Sequence, residues 1–387
     1  MATLDLLPST RAPADLYCPD EADWPALGAC LGSGSFRRHF RTLLAHFGSC
    51  RALLAATRGD LEAVPDLETR SINALAAKLP RLQPRDPRAG LDRLGARVVT
   101  WWDADYPAAL RTTPWPPPVF FLQGELTCQL PMTLAIVGTR RPTPYGKQVA
   151  GQFARELAGH GFTIVSGGAY GIDAAAHRGA LESGGRTVAV FGTGLDNPYP
   201  ESHRDLYAAI VAAGGACMTE YPPGTPPLAE YFPQRNRLVA GLARATLVIE
   251  AGGRSGALIT ASLALEAGRE VLVIPGRISD PTAAGSNQLL RDGATCITSV
   301  EDLIHACGLI LAKSVTTPDS AADQLEGLER RVYQALSLDQ EQVDDLALRL
   351  ELAVHEVASV LLVLELKGFV RSLPGQHFVR ASLGRSG

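Results

Sequence analysis

The sequence predicts an α/β protein built on a doubly wound, Rossmann-like parallel sheet, flanked by a small N-terminal helical domain and a C-terminal winged helix. Three observations carry that expectation. Between Leu134 and Leu303, short β-branched apolar runs recur and close on glycine-rich turns: Leu134–Val137 into Gly138-Thr139-Arg140-Arg141, Thr163–Val165 into Ser166-Gly167-Gly168, Thr187–Phe191 into Gly192-Thr193-Gly194, and Thr246–Ile249 into Glu250-Ala251-Gly252-Gly253. The runs lack polar alternation, as strands buried on both faces of a parallel sheet do. Helical spacing follows each turn, at Tyr145–Ala158, Ile172–Leu181, Ser202–Val211 and Ser255–Ala267. Repeated βα units of this kind build a parallel sheet. On either side of this block the pattern changes to short helices.

Taken in order, residues 1–23 are rich in Pro and Asp and read as a flexible tail. Residues 24–82 carry small helical patterns and look like a sterile-alpha-motif or helix-hairpin-helix module. Within it, apolar residues at 36, 40, 43, 44 and 47 share one face and Arg37, Arg38 and Arg41 the other. That arginine face is either a phosphate contact or a solvated helix face. Residues 83–130 form a connector with two strands, at Arg97–Trp102 and Val119–Gly124, placed at the edge of the main sheet. The Rossmann-like domain covers 131–309, and the polar stretch 310–325 reads as a linker. In 326–387, helices at Leu328–Leu336, Val343–Leu350 and Val354–Leu366 precede a small hairpin, the order of a winged helix-turn-helix.

The 387 residues are 46% hydrophobic and 20% charged, the balance of an ordinary soluble protein of two or three domains. A formal net charge of −4 excludes a protein that coats a polyanion through bulk positive charge. Lysine is confined to Lys78, Lys147, Lys313 and Lys367, so a bound polyanion has to meet local arginines and backbone amides. No apolar run approaches membrane-spanning length and the N-terminus lacks a leader pattern, which places the chain in the cytoplasm. Seven scattered cysteines without a CxxC pair fit reduced core residues.

In a doubly wound sheet the turns gather at the carboxyl ends of the strands, where ligands bind. A nicotinamide dinucleotide wants G-x-G-x-x-G and an acid ending the next strand. Here the first turn is Gly138-Thr139-Arg140-Arg141 and the second strand ends in Ser166-Gly167, and no P-loop sequence exists. What the turns offer is backbone N–H groups at helix N-termini, with Arg140, Arg141 and Lys147 beside them, which fits an anion with several phosphates. Tyr231-Phe232-Pro233-Gln234-Arg235-Asn236-Arg237 sets two arginines behind an aromatic pair. Arginines neutralise phosphates while an aromatic face stacks an unpaired base, the chemistry of single-stranded nucleic acid. Spacing alone equally allows Phe232 in the core and Arg235 and Arg237 as partners of their own helix. Asp173 and His177 stand one helical turn apart but have no third ligand, so a capping Asp and an oriented His fit better than a metal. Glu250 is a candidate base, and Ser166 sits in no nucleophile elbow. No nucleophile, base and oxyanion hole assemble, and no cofactor or metal is called for.

Ser166-Gly-Gly-Ala-Tyr-Gly-Ile-Asp-Ala-Ala-Ala-His-Arg-Gly-Ala-Leu181, Gly194-Leu-Asp-Asn-Pro-Tyr-Pro200, Phe232-Pro-Gln-Arg-Asn-Arg237, Arg254-Ser-Gly-Ala-Leu-Ile-Thr-Ala261 and Gly285-Ser-Asn-Gln-Leu-Leu-Arg-Asp-Gly293 closely resemble the DprA (Smf) family of DNA-processing proteins, in motif order across the whole α/β block. The resemblance implies a non-enzymatic role: binding and protecting incoming single-stranded DNA in natural transformation and loading the recombinase RecA onto it, as a homodimer through the Rossmann-like domain. It implies DNA contacts at Gly138, Arg140, Ser166, Gly167, Phe232, Arg235 and Arg237. Ala169-Tyr170 departs from an Ala-Arg pair common in the family, which removes a phosphate contact or substitutes a stacking ring. Arg254 joins the expected contacts, and Ser286 to Arg291 is a candidate dimer surface. The turn after Glu250 is also similar to the P-G-G-x-G-T-x-x-E motif of lysine-decarboxylase-like nucleoside-monophosphate phosphoribohydrolases, but Ser255 replaces a glycine and Ile259 stands where the catalytic acid belongs. A transcription regulator acting through the winged helix is the weaker alternative. The third helix there offers His355, Glu356, Ser359 and Glu365 with only Lys367 basic, a poor complement to phosphate.

Overall fold

A computed structural model describes residues 19–126, 132–308, 325, 327–336, 341–367, 369–373 and 377–380. Most of the expected tail and nearly all of the expected linker lie outside the described residues. By its internal contacts the chain divides into Met1–Leu309 and Ile310–Gly387.

The first unit opens with α1 (Trp24–Leu31), α2 (Gly34–Phe47), α3 (Cys50–Leu54), α4 (Arg58–Glu62) and α5 (Thr69–Lys78). Hydroxyl side chains cap three of these helices: Ser33 accepts from the Phe36 N–H, Ser49 from Ala52 and Thr57 from Asp60, satisfying donors a helix start leaves open. In α2, Phe36, Phe40, Leu43 and Leu44 are buried as their spacing requires. Its arginines are not a simple solvated face. Arg37 is buried, Arg38 lies over the Trp115 ring at 5.1 Å and Arg41 over Trp101 at 5.9 Å, each packing a weakly hydrated guanidinium on an aromatic face.

The sheet elements follow as β1 (Ala96–Thr100), α6 (Ala108–Arg111), β2 (Val119–Gly124), β3 (Thr133–Val137), α7 (Pro144–Gly159), β4 (Thr163–Ser166), α8 (Ile172–Glu182) and β5 (Thr187–Phe191). Then come α9 (Arg204–Ala212), β6 (Ala216–Thr219), α10 (Tyr231–Leu242), β7 (Ala245–Val248), α11 (Gly256–Glu266), β8 (Glu270–Val273), α12 (Ala284–Arg291), β9 (Thr295–Cys296) and α13 (Val300–Ala306). Strand order is β1-β2-β6-β5-β4-β3-β7-β8-β9. From β6 to β9 across the sheet every pairing is parallel, while β1 and β2 pair antiparallel and attach along β6, with Phe121 opposite Thr219. Strands β3, β4 and β5 are buried at every position, which is why they read as unbroken apolar runs. The chain steps outward from β3 to β6, then returns to lay β7 on the other side of β3. Adjacent strands β3 and β7, in register at Val137 and Val248, therefore send their following loops in opposite directions and leave a crevice between them.

The N-terminal helices share one continuous buried cluster with the sheet. Edge-to-face rings mark the seam: Phe40 on Trp101 at 5.9 Å, Trp101 on Tyr106 at 5.3 Å, and Tyr106 tilted on Phe120 at 5.6 Å. A charged cluster crosses the same seam. The carboxylate of Glu220, just after β6, receives Arg237 of α10 on both oxygens at 2.6 Å and lies 3.8 Å from Arg37 of α2. Arg37 also donates to Gln234 of α10 at 2.9 Å and stacks over Tyr221 at 5.0 Å.

In the second unit, α14 (Gly327–Ala335), α15 (Val343–Leu350) and α16 (Val354–Leu366) enclose a core of Val332, Tyr333, Leu346, Val357, Leu361 and Leu364. Strands β10 (Glu341–Gln342), β11 (Val370–Leu373) and β12 (His377–Arg380) form the wing in the order β10-β12-β11. The exposed side of α16 carries Val354 and Leu362, and Lys367 at its end pairs with Glu329 at 2.7 Å.

Glu220→Gln removes the carboxylate shared by two guanidinium groups and is expected to cost about 3 kcal/mol, the scale of breaking a buried ion pair. The check is a urea melt: the midpoint falls at unchanged slope, whereas an unchanged midpoint would show the cluster to be energetically silent.

Candidate nucleic-acid interface

The crevice at the switch point opens into a cavity of about 740 Å³. Its walls include Val137–Arg140 at the end of β3, Gly167, Ala169 and Asp173 after β4, Gly252–Ala257 leading into α11, and one face of α10. On α10 the lining residues include Phe232, Arg235, Asn236 and Val239, the i, i+3, i+4, i+7 positions of a single helix face.

The first turn is held by its neighbours. Glu250, at the end of β7, accepts the Thr139 N–H on its backbone oxygen at 2.7 Å and the Thr143 N–H on its carboxylate at 2.9 Å. The Thr143 hydroxyl also donates to that carboxylate and in turn accepts from Gly146 N–H at 3.0 Å, capping α7. Glu250 is buried, and both carboxylate oxygens are engaged by Thr143. The candidate base of the sequence is thus a loop anchor. Packing leaves no room for larger residues here: a Cβ on Gly138 would strike Ile172 and the Glu250 carbonyl. Gly171, at φ +81°, lies against the backbone of Thr139 and Arg140 and needs the left-handed region open to glycine.

Arg140 projects from this turn, exposed, with its guanidinium 5.5 Å from the Phe232 ring centroid. Arg235 lies beneath, only 4% exposed. It donates to the carbonyls of Gly167 and Val190, at the ends of β4 and β5, and to Asn236 Oδ1 at 3.2 Å. Asn236 passes the link to α11 by donating to the Gly256 carbonyl at 3.3 Å. Burial pulls the Arg235 pKa down to about 10, an effect opposed by Asp173, and pushes Asp173 up, an effect opposed by Arg235. Asp173 is a local brace: its Oδ2 accepts from Ala169 N–H at 3.2 Å.

Of the residues expected at the site, Gly138, Arg140, Gly167, Phe232, Arg235 and Arg254 line the cavity, and Tyr170 lines a small notch opening from it. Others are not brought there. Ser166 is fully buried and donates to the Ile136 carbonyl at 2.7 Å. Arg237, two residues and roughly 200° around α10 from Arg235, faces Glu220 instead. Arg141 and Lys147 are exposed but outside the cavity wall. Unanticipated lining residues are Thr139, Tyr199, Asn236 and Ser255. Helical spacing from Phe232 already marks Asn236, and Tyr199 lies inside the Asn197-Pro-Tyr-Pro200 motif. Ile259 is 43% exposed on α11, so no buried carboxylate stands at the ribohydrolase position.

Comparison with known proteins places the chain that carries this cavity in a family. Residues 97–308 match the family described as DNA recombination-mediator protein A, and residues 316–376 the DprA winged helix domain. The chain belongs to the DprA family. A putative DNA processing protein DprA of Mycobacterium tuberculosis is 41% identical over 76% of this chain and 80% of its own. Protein Smf of Escherichia coli is 38% identical over 70% and 74% respectively. The X-ray structure of DprA from Streptococcus pneumoniae aligns with a TM-score of 0.59 at 29% identity, covering 75% of this chain and 98% of that one. Among the described residues no helix is long and apolar enough to cross a membrane.

Behind the site, His177 of α8 is fully buried, with Nδ1 2.7 Å from the Thr187 hydroxyl. That hydroxyl donates to the Ile164 carbonyl at 2.7 Å, so it accepts from His177, which carries its proton on Nδ1. Burial holds the imidazole neutral, with its pKa pulled from 6.5 to about 3. The unfolded chain gains this proton as pH falls below 6.5 while the native chain resists until about 3. The contribution is intact above that window and lost on descending through it. The stability of the native chain relative to His177→Gln should therefore fall as pH drops from 6.5 towards 3; a pH-independent difference would place a charged or solvated imidazole at this position.

Proposed function

We propose that the crevice binds single-stranded DNA and that the protein, without catalysing a reaction, protects the strand and presents it to a RecA recombinase in transformation and recombination. The observation that carries this reading is the pairing of an exposed Arg140 with the Phe232 ring at the mouth of a cavity whose other walls are glycine turns. A guanidinium meets phosphate, the ring offers a π-face to any unpaired base, and the positive end of α11 at the Gly252–Ala257 wall favours further anionic oxygens. Arg254, exposed on the opposite wall, gives a second phosphate contact. The buried Arg235 adds positive potential from below and shapes the floor.

The ribohydrolase reading loses its support at Ile259 and Glu250, the first apolar and the second fully engaged. Reading of duplex DNA by α16 is disfavoured by its exposed Val354 and Leu362 and by the neutralised Lys367, which suit a protein contact better than a phosphate surface. Pairing of two copies through the Rossmann-like unit, at residues 286–291 of α12, completes the proposal. There Leu289 and Leu290 remain partly exposed, and Leu289→Arg should turn a dimer into a monomer by light scattering if that surface pairs.

Anisotropy titration of labelled oligo-dT against duplex, at several salt concentrations, tests the crevice. Arg140→Ala should weaken single-strand binding and reduce the log–log salt slope by about 0.7, one phosphate contact on a single strand. Phe232→Ala should cost about 1–3 kcal/mol at unchanged slope. Arg237→Ala, facing Glu220, should alter stability more than slope. Equal affinity for duplex and single strand would sink the proposal.

A further inference from the structure

Beyond the Arg140–Phe232 pair stand two partly exposed tyrosines, Tyr199 at 43% and Tyr170 at 46%. Neither is loose. Tyr199 meets Phe232 edge-to-face at 5.6 Å and 61°. Tyr170 stands edge-on to His203 at 5.0 Å and 71°, and its hydroxyl lies 3.0 Å from Ser202 Oγ. Together with Ala169 and Pro200 they line the notch that shares Arg140 and Phe232 with the main cavity. Exposed large apolar groups are ordinarily scattered singly over a soluble surface. Here Phe232, Tyr199 and Tyr170 border one continuous depression, each fixed by a partner, so little rotamer freedom is lost when a flat ligand lies on them.

Charge on this side is also unbalanced. Arg178 of α8 is exposed, and its positive charge acts on both His203 and His177. Nearby Arg204 is matched by Glu201 at 3.4 Å, and the Asp196 carboxylate is taken by the Gly224 N–H at 2.8 and 2.9 Å. Arg140 lines the notch itself, and Arg178, whose charge reaches the His203 that packs on Tyr170, is a second exposed cation on this side.

We propose that Tyr199 and Tyr170 form a second nucleotide subsite, stacking a further unpaired base of the strand that occupies the crevice while Arg178 meets its phosphate. This rests on the reading of the crevice as a single-strand groove. The subsite would extend the path of the strand from the switch point across the ends of β4 and β5 towards the start of α9.

The test is equilibrium binding of oligo-dT from about 4 to 16 nucleotides to the full chain and to its Tyr170→Ala, Tyr170→Phe and Arg178→Ala variants. In the native chain affinity should rise with length and then level off. Tyr170→Ala, at a ring that lines the notch and not the main cavity, should leave the shortest bound oligomer unaffected and weaken the longer ones by about tenfold, within the range of one lost stacking contact, and Tyr170→Phe should restore them. Arg178→Ala should lower the salt slope for the longer oligomers alone. Equal weakening at every length, with normal melting temperature, would make Tyr170 a prop for the crevice and overturn the subsite; no weakening at any length would overturn it as well. Failure of the native chain to bind any oligomer would instead refute the crevice reading itself.

Discussion

A buried guanidinium organises the ligand-facing end of this sheet. Taking a charge out of water costs several kcal/mol unless hydrogen bonds and counter-charge offset it, and Arg235 meets that demand with the carbonyls of Gly167 and Val190 and the nearby charge of Asp173. Those carbonyls terminate β4 and β5, so one side chain on α10 ties two strand ends together. The same helix then presents Phe232 one turn earlier and Asn236 beside it. The aromatic ring at the mouth is therefore located by a charge on the floor. Arg235 remains charged at neutral pH even with its pKa drawn down to about 10, and it contributes potential without an exposed side chain of its own.

Glu250 plays the matching part on the other wall. By accepting from Thr139 and Thr143 it couples the end of β7 to the turn after β3, the two strands between which the topology reverses. The crevice is thus braced from both sides before any ligand arrives. In such a preorganised site little ordering entropy remains to oppose binding.

Much of the fold was legible because burial on two faces forces an apolar, β-branched run, and β3, β4, β5 and β7 all carry one. The second and third helices of the winged unit were legible to their ends, Val343–Leu350 and Val354–Leu366. Strand β6, Ala-Cys-Met-Thr, has neither a β-branched run nor a glycine directly after it to reveal it. At the site, residue type alone does not separate a ligand-facing arginine from a structural one. Arg37 and Arg237 are spent on Glu220, a carboxylate 183 and 17 residues away in sequence respectively; of these only the α10 geometry was foreseeable, since residues 235 and 237 occupy opposite sides of one helix. Ser166 shows the converse: a hydroxyl at a strand end looks available until the neighbouring strand's Ile136 carbonyl takes it.

The sheet ends, on the side away from the hairpin, in β9, two exposed residues long. An extended bare edge would offer a ladder of unpaired amides to the edge of any neighbouring molecule. Two residues give such a ladder almost no purchase. Copies of the chain would then meet through side chains and remain separate folds rather than fusing through their backbones into one sheet.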